Sequence, residues 1–205
     1  MTTGQLILVS APSGAGKTSL VKAALERDAQ LAVSVSHTTR PKRATETDGV
    51  NYHFVAAAAF STMVADGDFL EHAQVFDHQY GTSKQEVDTL RARGKDVILE
   101  IDWQGADQIR QLNAQAVSVF ILPPSVDVLR KRLEKRGQDS EQVIVRRLAE
   151  AQLEMSQAHR YHYIVVNDDF DVALGEIQSI LHAGRLRSEA QIANNDVVRA
   201  ILSAT

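Results

Sequence analysis

The stretch from Leu6 to Leu20 constrains this chain more than any other. Four apolar residues, Leu6-Ile7-Leu8-Val9, run into Ser10-Ala11-Pro12-Ser13-Gly14-Ala15-Gly16-Lys17-Thr18, and a helical pattern follows. A buried strand feeding a glycine-rich loop that opens a helix is the setting a phosphate-binding loop needs. Glycine has no Cβ, so backbone N–H groups can curl around a polyphosphate. The helix start turns its unpaired N–H groups and positive dipole end toward the same anion. On this reading Ala11, Pro12, Ser13, Gly14, Ala15, Gly16, Lys17 and Thr18 form the cradle. Lys17 reaches the terminal phosphates and Thr18 offers its hydroxyl to Mg²⁺. The usual pattern begins with glycine where this chain has Ala11, which is tolerable if that position needs no positive φ. The competing reading is a chance strand–turn–helix with a surface lysine. The order of strand, loop, Lys-Thr pair and helix weighs against it.

A chain of 205 residues with 44% hydrophobic content suits one compact α/β domain with inserted parts. The net charge of −4 argues against a bulk nucleic-acid binder. The absence of cysteine excludes disulfides, thiolate metal sites and a cysteine nucleophile, and fits a reducing, cytoplasmic setting. Thr2-Thr3-Gly4 leads straight into the first strand, so no signal peptide is expected, and no apolar run is long enough for a membrane span.

Further along, Lys17 to Asp28 reads as a helix with Leu20, Val21, Ala24 and Leu25 on one face. The polar stretch from His37 to Asn51 carries Arg40, Lys42 and Arg43. It reads either as a solvated loop or as an anion clamp, because arginine forks match phosphate oxygens two at a time. Tyr52 to Thr82 reads as a small β-rich insertion with one helix, Ala56 to Ala65, and an imperfectly alternating strand, Phe69 to Phe76. Ser83 to Arg93 is helical and stops at Gly94. Val97 to Asp102 is a buried strand ending in acids, with Glu100 and Asp102 on one face by alternation. Such a carboxylate can hold Mg²⁺ through water, and Asp102 can equally cap the next helix. Val117 to Leu122 is an apolar strand stopped by Pro123-Pro124, with Ser125 as a helix cap. Ser125 to His159 reads as two basic helices joined at a hinge, Gly137, with Arg132 and Arg136 on one face. Tyr163 to Val166 is the last core strand. The apolar stripe of Asn194 to Leu202 suits docking on the core or on a second subunit.

After the phosphate loop come Ser36-His37-Thr38-Thr39-Arg40-Pro41-Lys42-Arg43, Gly49-Val50-Asn51-Tyr52, Glu71, Tyr80-Gly81-Thr82, Ile101-Asp102-Trp103-Gln104-Gly105, Pro123-Pro124-Ser125 and Val166-Asn167-Asp168-Asp169. This order closely resembles the guanylate kinase family, which makes GDP from GMP and ATP. The resemblance runs from about Gln5 to about Leu186, leaving the tail uncovered. It implies a single nucleoside-monophosphate-kinase-like domain with a parallel-sheet core flanked by helices. The core would be 4–36, 84–124 and 158–205, with a GMP-binding subdomain at 37–83 and a helical lid at 125–157.

By the same resemblance, Arg40, Arg43, Tyr52 and Tyr80 hold the GMP phosphate. Glu71 reads guanine with Ser36 and Thr82 beside it, and Glu100 and Asp102 border the same site. Arg132, Arg136 and Arg147 reach the ATP phosphates and the transferring group, and Arg136 stacks on adenine near Asn167 and Asp168. Lys17, Arg40, Arg43, Arg132 and Arg147 are the implied catalytic cations. Mg²⁺ accompanies ATP, held by Thr18 and, through water, by Glu100 and Asp102. GMP and ATP are the implied partners; self-association is an expectation from the apolar stripe of the tail and not from the resemblance. Two rivals are a peptide-binding scaffold module, which lacks an intact phosphate loop, and a kinase for a ribose bisphosphate, which lacks the guanine reader.

Overall fold

The computed structural model describes residues 4–75, 77–113, 115–135 and 141–204. In chain order its elements are β1 (Leu6–Ser10), α1 (Lys17–Arg27), β2 (Leu31–Val33), β3 (His37–Thr38), β4 (His53–Phe54), α2 (Ala57–Asp66), β5 (Phe69–Val75), β6 (His78–Ser83), α3 (Lys84–Ala92), β7 (Asp96–Glu100) and α4 (Trp103–Leu112). There follow β8 (Val117–Leu122), α5 (Val126–Lys135), α6 (Glu141–Ser156), a 3-10 turn at Ala158–Arg160, β9 (Tyr163–Val166), α7 (Phe170–Arg185), α8 (Ser188–Asn194) and α9 (Asp196–Ser203). They fall into two compact units, Met1–Leu8 with Gln30–Ala116 and Val9–Ala29 with Val117–Thr205. The segment 37–83 lies in the first unit and the segment 125–157 in the second.

In the first unit β2 pairs with β7 in parallel, Leu31 opposite Asp96. At the entry to β1, the Gln5 carbonyl accepts the Val97 N–H at 2.9 Å. All of β1 and Asp96 to Leu99 are buried, as apolar runs in a sheet covered on both faces must be. Asp96 is the charged exception, and its carboxylate takes the Gln5 backbone N–H at 2.7 Å and the Gln5 side-chain amide at 3.2 Å. Gly4 admits no side chain, because a Cβ there would stand 1.7 Å from the Lys95 carbonyl oxygen.

A second sheet in this unit has the order β4-β3-β6-β5. β3 runs parallel to β4 and antiparallel to β6, which is antiparallel to β5. Phe69 faces Ser83 but Glu71 faces Thr82, so β5 carries one extra residue in between. Such a bulge re-aims the side chains around it. Burial alternates regularly along β5, and the sequence looks irregular because a buried position holds the acid Glu71 while the half-buried position before it holds Leu70. Phe69 stacks on the fully buried Phe60 of α2 at 4.6 Å between ring centroids. Gly67 ends α2 in the left-handed region, φ 71°, and its N–H bonds back to Val64 at 3.1 Å. Ser83 caps α3 by accepting the Glu86 N–H. The Glu86 carboxylate takes the Ser34 hydroxyl at 3.0 Å and the Val35 N–H at 3.2 Å, tying α3 to the chain that leaves β2.

In the second unit α1 buries Leu20, Val21 and Ala24, and α7 buries Ala173, Leu174, Ile177 and Leu181. The two helices pack together. β8 is almost wholly buried and pairs in parallel with β9, Val119 opposite Tyr163. The sequence marks β9 as a core strand, but only Val165 is buried, and Tyr163, Ile164 and Val166 are exposed. β9 ends its sheet, so it lacks a neighbour to cover it. Ser125 caps α5 by accepting the Val128 N–H at 3.1 Å. Leu129 and Leu133 of α5 pack with Ala151 of α6, with Leu148 and Met155 around them. Of the two places expected for the terminal stripe, the core and a second subunit, the core is not the one it takes, because Val197, Ile201 and Leu202 are exposed on α9.

Leu133 is fully buried between the two helices. Leu133→Ala is expected to cost about 2–5 kcal/mol in thermal or urea unfolding, with a loss under about 1 kcal/mol contradicting that packing.

Candidate functional site

The second unit carries the phosphate loop, between β1 and α1. Gly14 and Gly16 sit at φ 95° and 99°, the left-handed region where a Cβ is disfavoured. They also lack room. A Cβ on Gly14 would stand 3.0 Å from Leu129 Cδ1, and one on Gly16 would stand 2.2 Å from Asn167 Nδ2. The loop is closed by the Ala15 N–H donating to the Pro12 carbonyl at 3.0 Å. It is braced through the Ala15 carbonyl, which accepts Asn167 Nδ2 at 2.7 Å and the Arg132 guanidinium at 3.4 Å. Arg132 also donates to the Asn167 carbonyl at 3.0 Å.

Ala11, Ser13 and Lys17 are half-buried, Pro12 is buried and Thr18 is exposed. The first turn of α1 has no acidic residue, so nothing there opposes an incoming anion. Asn167 is buried, whereas Asp168 is exposed beside Asp169, the cap of α7. Arg147 is half-buried on α6. Arg136 and the expected hinge Gly137 lie outside the described residues.

The first unit holds a cationic clamp. The Arg40 guanidinium is gripped by both oxygens of Glu46, at 2.7 and 3.1 Å. Glu46 also accepts the Arg43 backbone N–H at 2.8 Å, so one carboxylate fixes both arginines, Arg40 by its side chain and Arg43 by its backbone. Arg40 lies over the rings of Tyr52 at 5.4 Å and Phe54 at 5.6 Å, within cation–π range. Thr38, fully buried, bonds the Gln79 carbonyl with its hydroxyl and accepts the Arg40 N–H at 3.1 Å. Tyr52 and Tyr80 meet edge to face at 5.8 Å. Burial, with Tyr80 and Glu100 nearby, pushes the Tyr52 hydroxyl up to about 12, so it stays a neutral donor. The Glu46 bonds hold Arg40 more firmly in its charged form, and Arg40 holds Glu46 below the usual carboxylate range. The Arg43 side chain is largely exposed.

The same unit buries a carboxylate. Glu71 is 4% exposed, and the fully buried Thr82 hydroxyl donates to its Oε1 at 2.5 Å. Ser36 is buried where β3 begins, and its carbonyl accepts the His53 N–H at 3.0 Å. Glu100 is half-buried at the end of β7. Asp102 lies beyond that strand, so the alternation predicted for Glu100 and Asp102 does not reach it. Asp102 caps α4, with Oδ1 accepting the Gly105 N–H at 2.9 Å and Oδ2 accepting the Gln104 side chain at 3.0 Å.

A sequence model described as guanylate kinase matches residues 3–184. A guanylate kinase of Saccharophagus degradans is 60% identical over 189 residues, 92% of each chain. That of Hahella chejuensis is 55% identical over 205 residues, covering 100% of this chain and 99% of its own length. The chain belongs to the guanylate kinase family. A crystal structure of guanylate kinase from Anaplasma phagocytophilum matches all of this chain and 96% of its own, at 30% identity and a TM-score of 0.80. The fold is therefore that of the guanylate kinases, α/β with a parallel sheet flanked by helices. The Hahella guanylate kinase aligns through the tail as well, where the family model has already ended.

Sequence reasoning about this guanylate kinase family member missed Glu46, Thr38 and Phe54. Glu46 is one of two acids, with Asp48, in a loop that also carries Arg40, Lys42 and Arg43, so nothing local singled it out. Glu46→Ala removes three charge-assisted bonds and is expected to lower stability by about 2 kcal/mol near neutral pH. Because the folded carboxylate titrates below its ordinary value of 4.5, its contribution is complete above that value and is lost as pH falls through the depressed one. The gap between wild type and variant in unfolding free energy should hold near neutral pH and narrow as pH falls below about 4.5. A gap that stays constant contradicts the pairing.

Proposed function

We propose that the chain transfers the γ-phosphoryl group of ATP to GMP, and to dGMP, giving ADP and GDP. The observation that carries this reading is the buried Glu71–Thr82 pair at 2.5 Å, in the same unit as the Arg40 clamp. A carboxylate has about four acceptor sites, so Glu71 can take guanine N1–H and the 2-amino group while keeping Thr82. Adenine has no 2-amino group and an unprotonated N1, which would leave a buried charge facing a lone pair. Pockets of this type discriminate by ~10⁴-fold.

Arg40, Arg43, Tyr52 and Tyr80 bind the GMP phosphate. Bidentate Arg40–Glu46 contact keeps the guanidinium in place before the substrate arrives. The phosphate loop, with Lys17, holds the β- and γ-phosphates of ATP, and Arg132 and Arg147 stabilise the transferring group. The GMP phosphate oxygen is already a nucleophile, so no strong base is needed. It attacks the γ-phosphorus in line, the new P–O bond forms as the bond to the β–γ bridging oxygen breaks, and ADP leaves with that oxygen. The work of the protein is positioning and charge stabilisation.

Thr18 in the second unit, and separately Glu100 in the first, are hard oxygen donors of the type that suits Mg²⁺, which takes few protein ligands and keeps waters and phosphates around it. Asp102 fits less well, because both its oxygens accept bonds within α4. Bound Mg²⁺ would neutralise charge on the ATP phosphates. Nucleotide substrates and a chain without cysteine support a cytoplasmic setting. Among the described residues no helix is long and apolar enough to cross a membrane.

Coupled ADP release with Mg-ATP and each of GMP, dGMP, AMP, CMP and UMP tests the reading. Turnover confined to GMP and dGMP is expected, and no turnover with either would overturn it. Lys17→Met should lower kcat by about 100-fold or more with the fold intact, and near-normal kcat would remove Lys17 from the chemistry.

A further inference from the structure

Gly105 has no backbone reason to be glycine. It sits in the first turn of α4 and is absent from the glycines with positive φ. In an ordinary helical position alanine is the better helix former. The reason lies across the unit. A Cβ on Gly105 would stand 2.3 Å from Oε2 of Glu71, 2.9 Å from its Cδ and 3.4 Å from its Cγ. No backbone atom is among these neighbours, so a methyl group could be absorbed by turning the Glu71 carboxylate aside. The fold could tolerate that, but a guanine site that depends on the aim of the carboxylate could not.

We propose that Gly105 is a specificity-determining position: the bare surface of α4 at Gly105 fixes the carboxylate of Glu71 in the orientation that reads guanine. This rests on the assignment of Glu71 as the base reader under the proposed function. The carboxylate is then bounded on two sides, by the Thr82 hydroxyl on Oε1 and by the Gly105 backbone against Oε2. The second wall is itself held in register. Gln108 of α4 donates to the His72 carbonyl at 2.8 Å and accepts the His72 N–H at 3.2 Å, one residue along β5 from Glu71. Gln104 donates to the Gln74 carbonyl at 3.4 Å. Asp102 anchors the start of α4 through the N–H of Gly105 itself. Gly105 is thus a positioning residue that acts through Glu71.

Gly105→Ala in the full chain tests this, with steady-state phosphorylation of GMP and AMP beside thermal unfolding. The expected result is a protein that still unfolds cooperatively, kcat at saturating GMP within about threefold, KM for GMP raised about tenfold, and a smaller GMP-over-AMP ratio in kcat/KM. In a Glu71→Gln background the same substitution should add little, because its target is already disabled. An unchanged KM for GMP in folded Gly105→Ala, or an equal loss in both backgrounds, overturns the proposal. If Gly105→Ala does not fold, Gln108→Ala takes its place. It loosens α4 from β5 and should raise KM for GMP about threefold, whereas an unchanged KM overturns the proposal. Failure of the wild-type chain to phosphorylate GMP would instead defeat the underlying functional reading.

Discussion

A carboxylate taken out of water must be paired, and the first unit is built around meeting that demand at Glu71. Alternation along β5 turns Glu71 to the buried face with Phe69, the one-residue bulge sets Thr82 of β6 opposite it, and α4 approaches closely enough to touch it because residue 105 is glycine. Other carboxylates in the unit follow the same rule. Asp96 is bonded to Gln5, Glu86 to Ser34 and Val35, and Glu46 to Arg40 and the Arg43 backbone. Each joins segments that sequence distance or loop flexibility would otherwise leave loose. The proposed base reader and phosphate-binding residues are thereby held by protein partners, which would reduce the ordering cost of binding.

The second unit handles an anion site differently. Its loop is shaped by two glycines in the left-handed region and braced through one carbonyl, which accepts from a neutral amide and from Arg132. Asn167 and Arg132 both bond to Ala15 from outside the cradle, so the curvature of the loop is held by β9's exit and by α5. Arg132 therefore already has backbone partners, and a role toward a transferring phosphoryl group would exchange bonds to neutral carbonyls for an ion pair with phosphate oxygens.

Much of this was legible because it is local. The phosphate loop is a contiguous pattern, α1 and α3 begin and end within a residue or two of their sequence signals, and apolar runs mark the buried strands. What was not legible depends on neighbours distant in sequence. A one-residue bulge leaves the composition of β5 unchanged. Glu46 looks like any acid in a solvated loop until Arg40 is seen to fold back on it. Gly105 reads as a weak helical residue until Glu71 stands against it. The exposure of β9 follows from its place in the sheet, which its four apolar-rich residues cannot announce. Asp102 divided between two readings, metal and cap, and the end of β7 at Glu100 favours the cap.

The central claim is that a buried carboxylate at Glu71 selects guanine. Equilibrium binding of GMP, IMP and AMP to the wild-type chain, without ATP, tests it most directly. IMP keeps the N1–H and loses the 2-amino group, and AMP loses both donors. The account predicts the order GMP, then IMP, then AMP, with AMP weaker than GMP by ~10⁴-fold. Binding of AMP within about tenfold of GMP would contradict it, because the cost of a buried charge left facing a lone pair would then be missing.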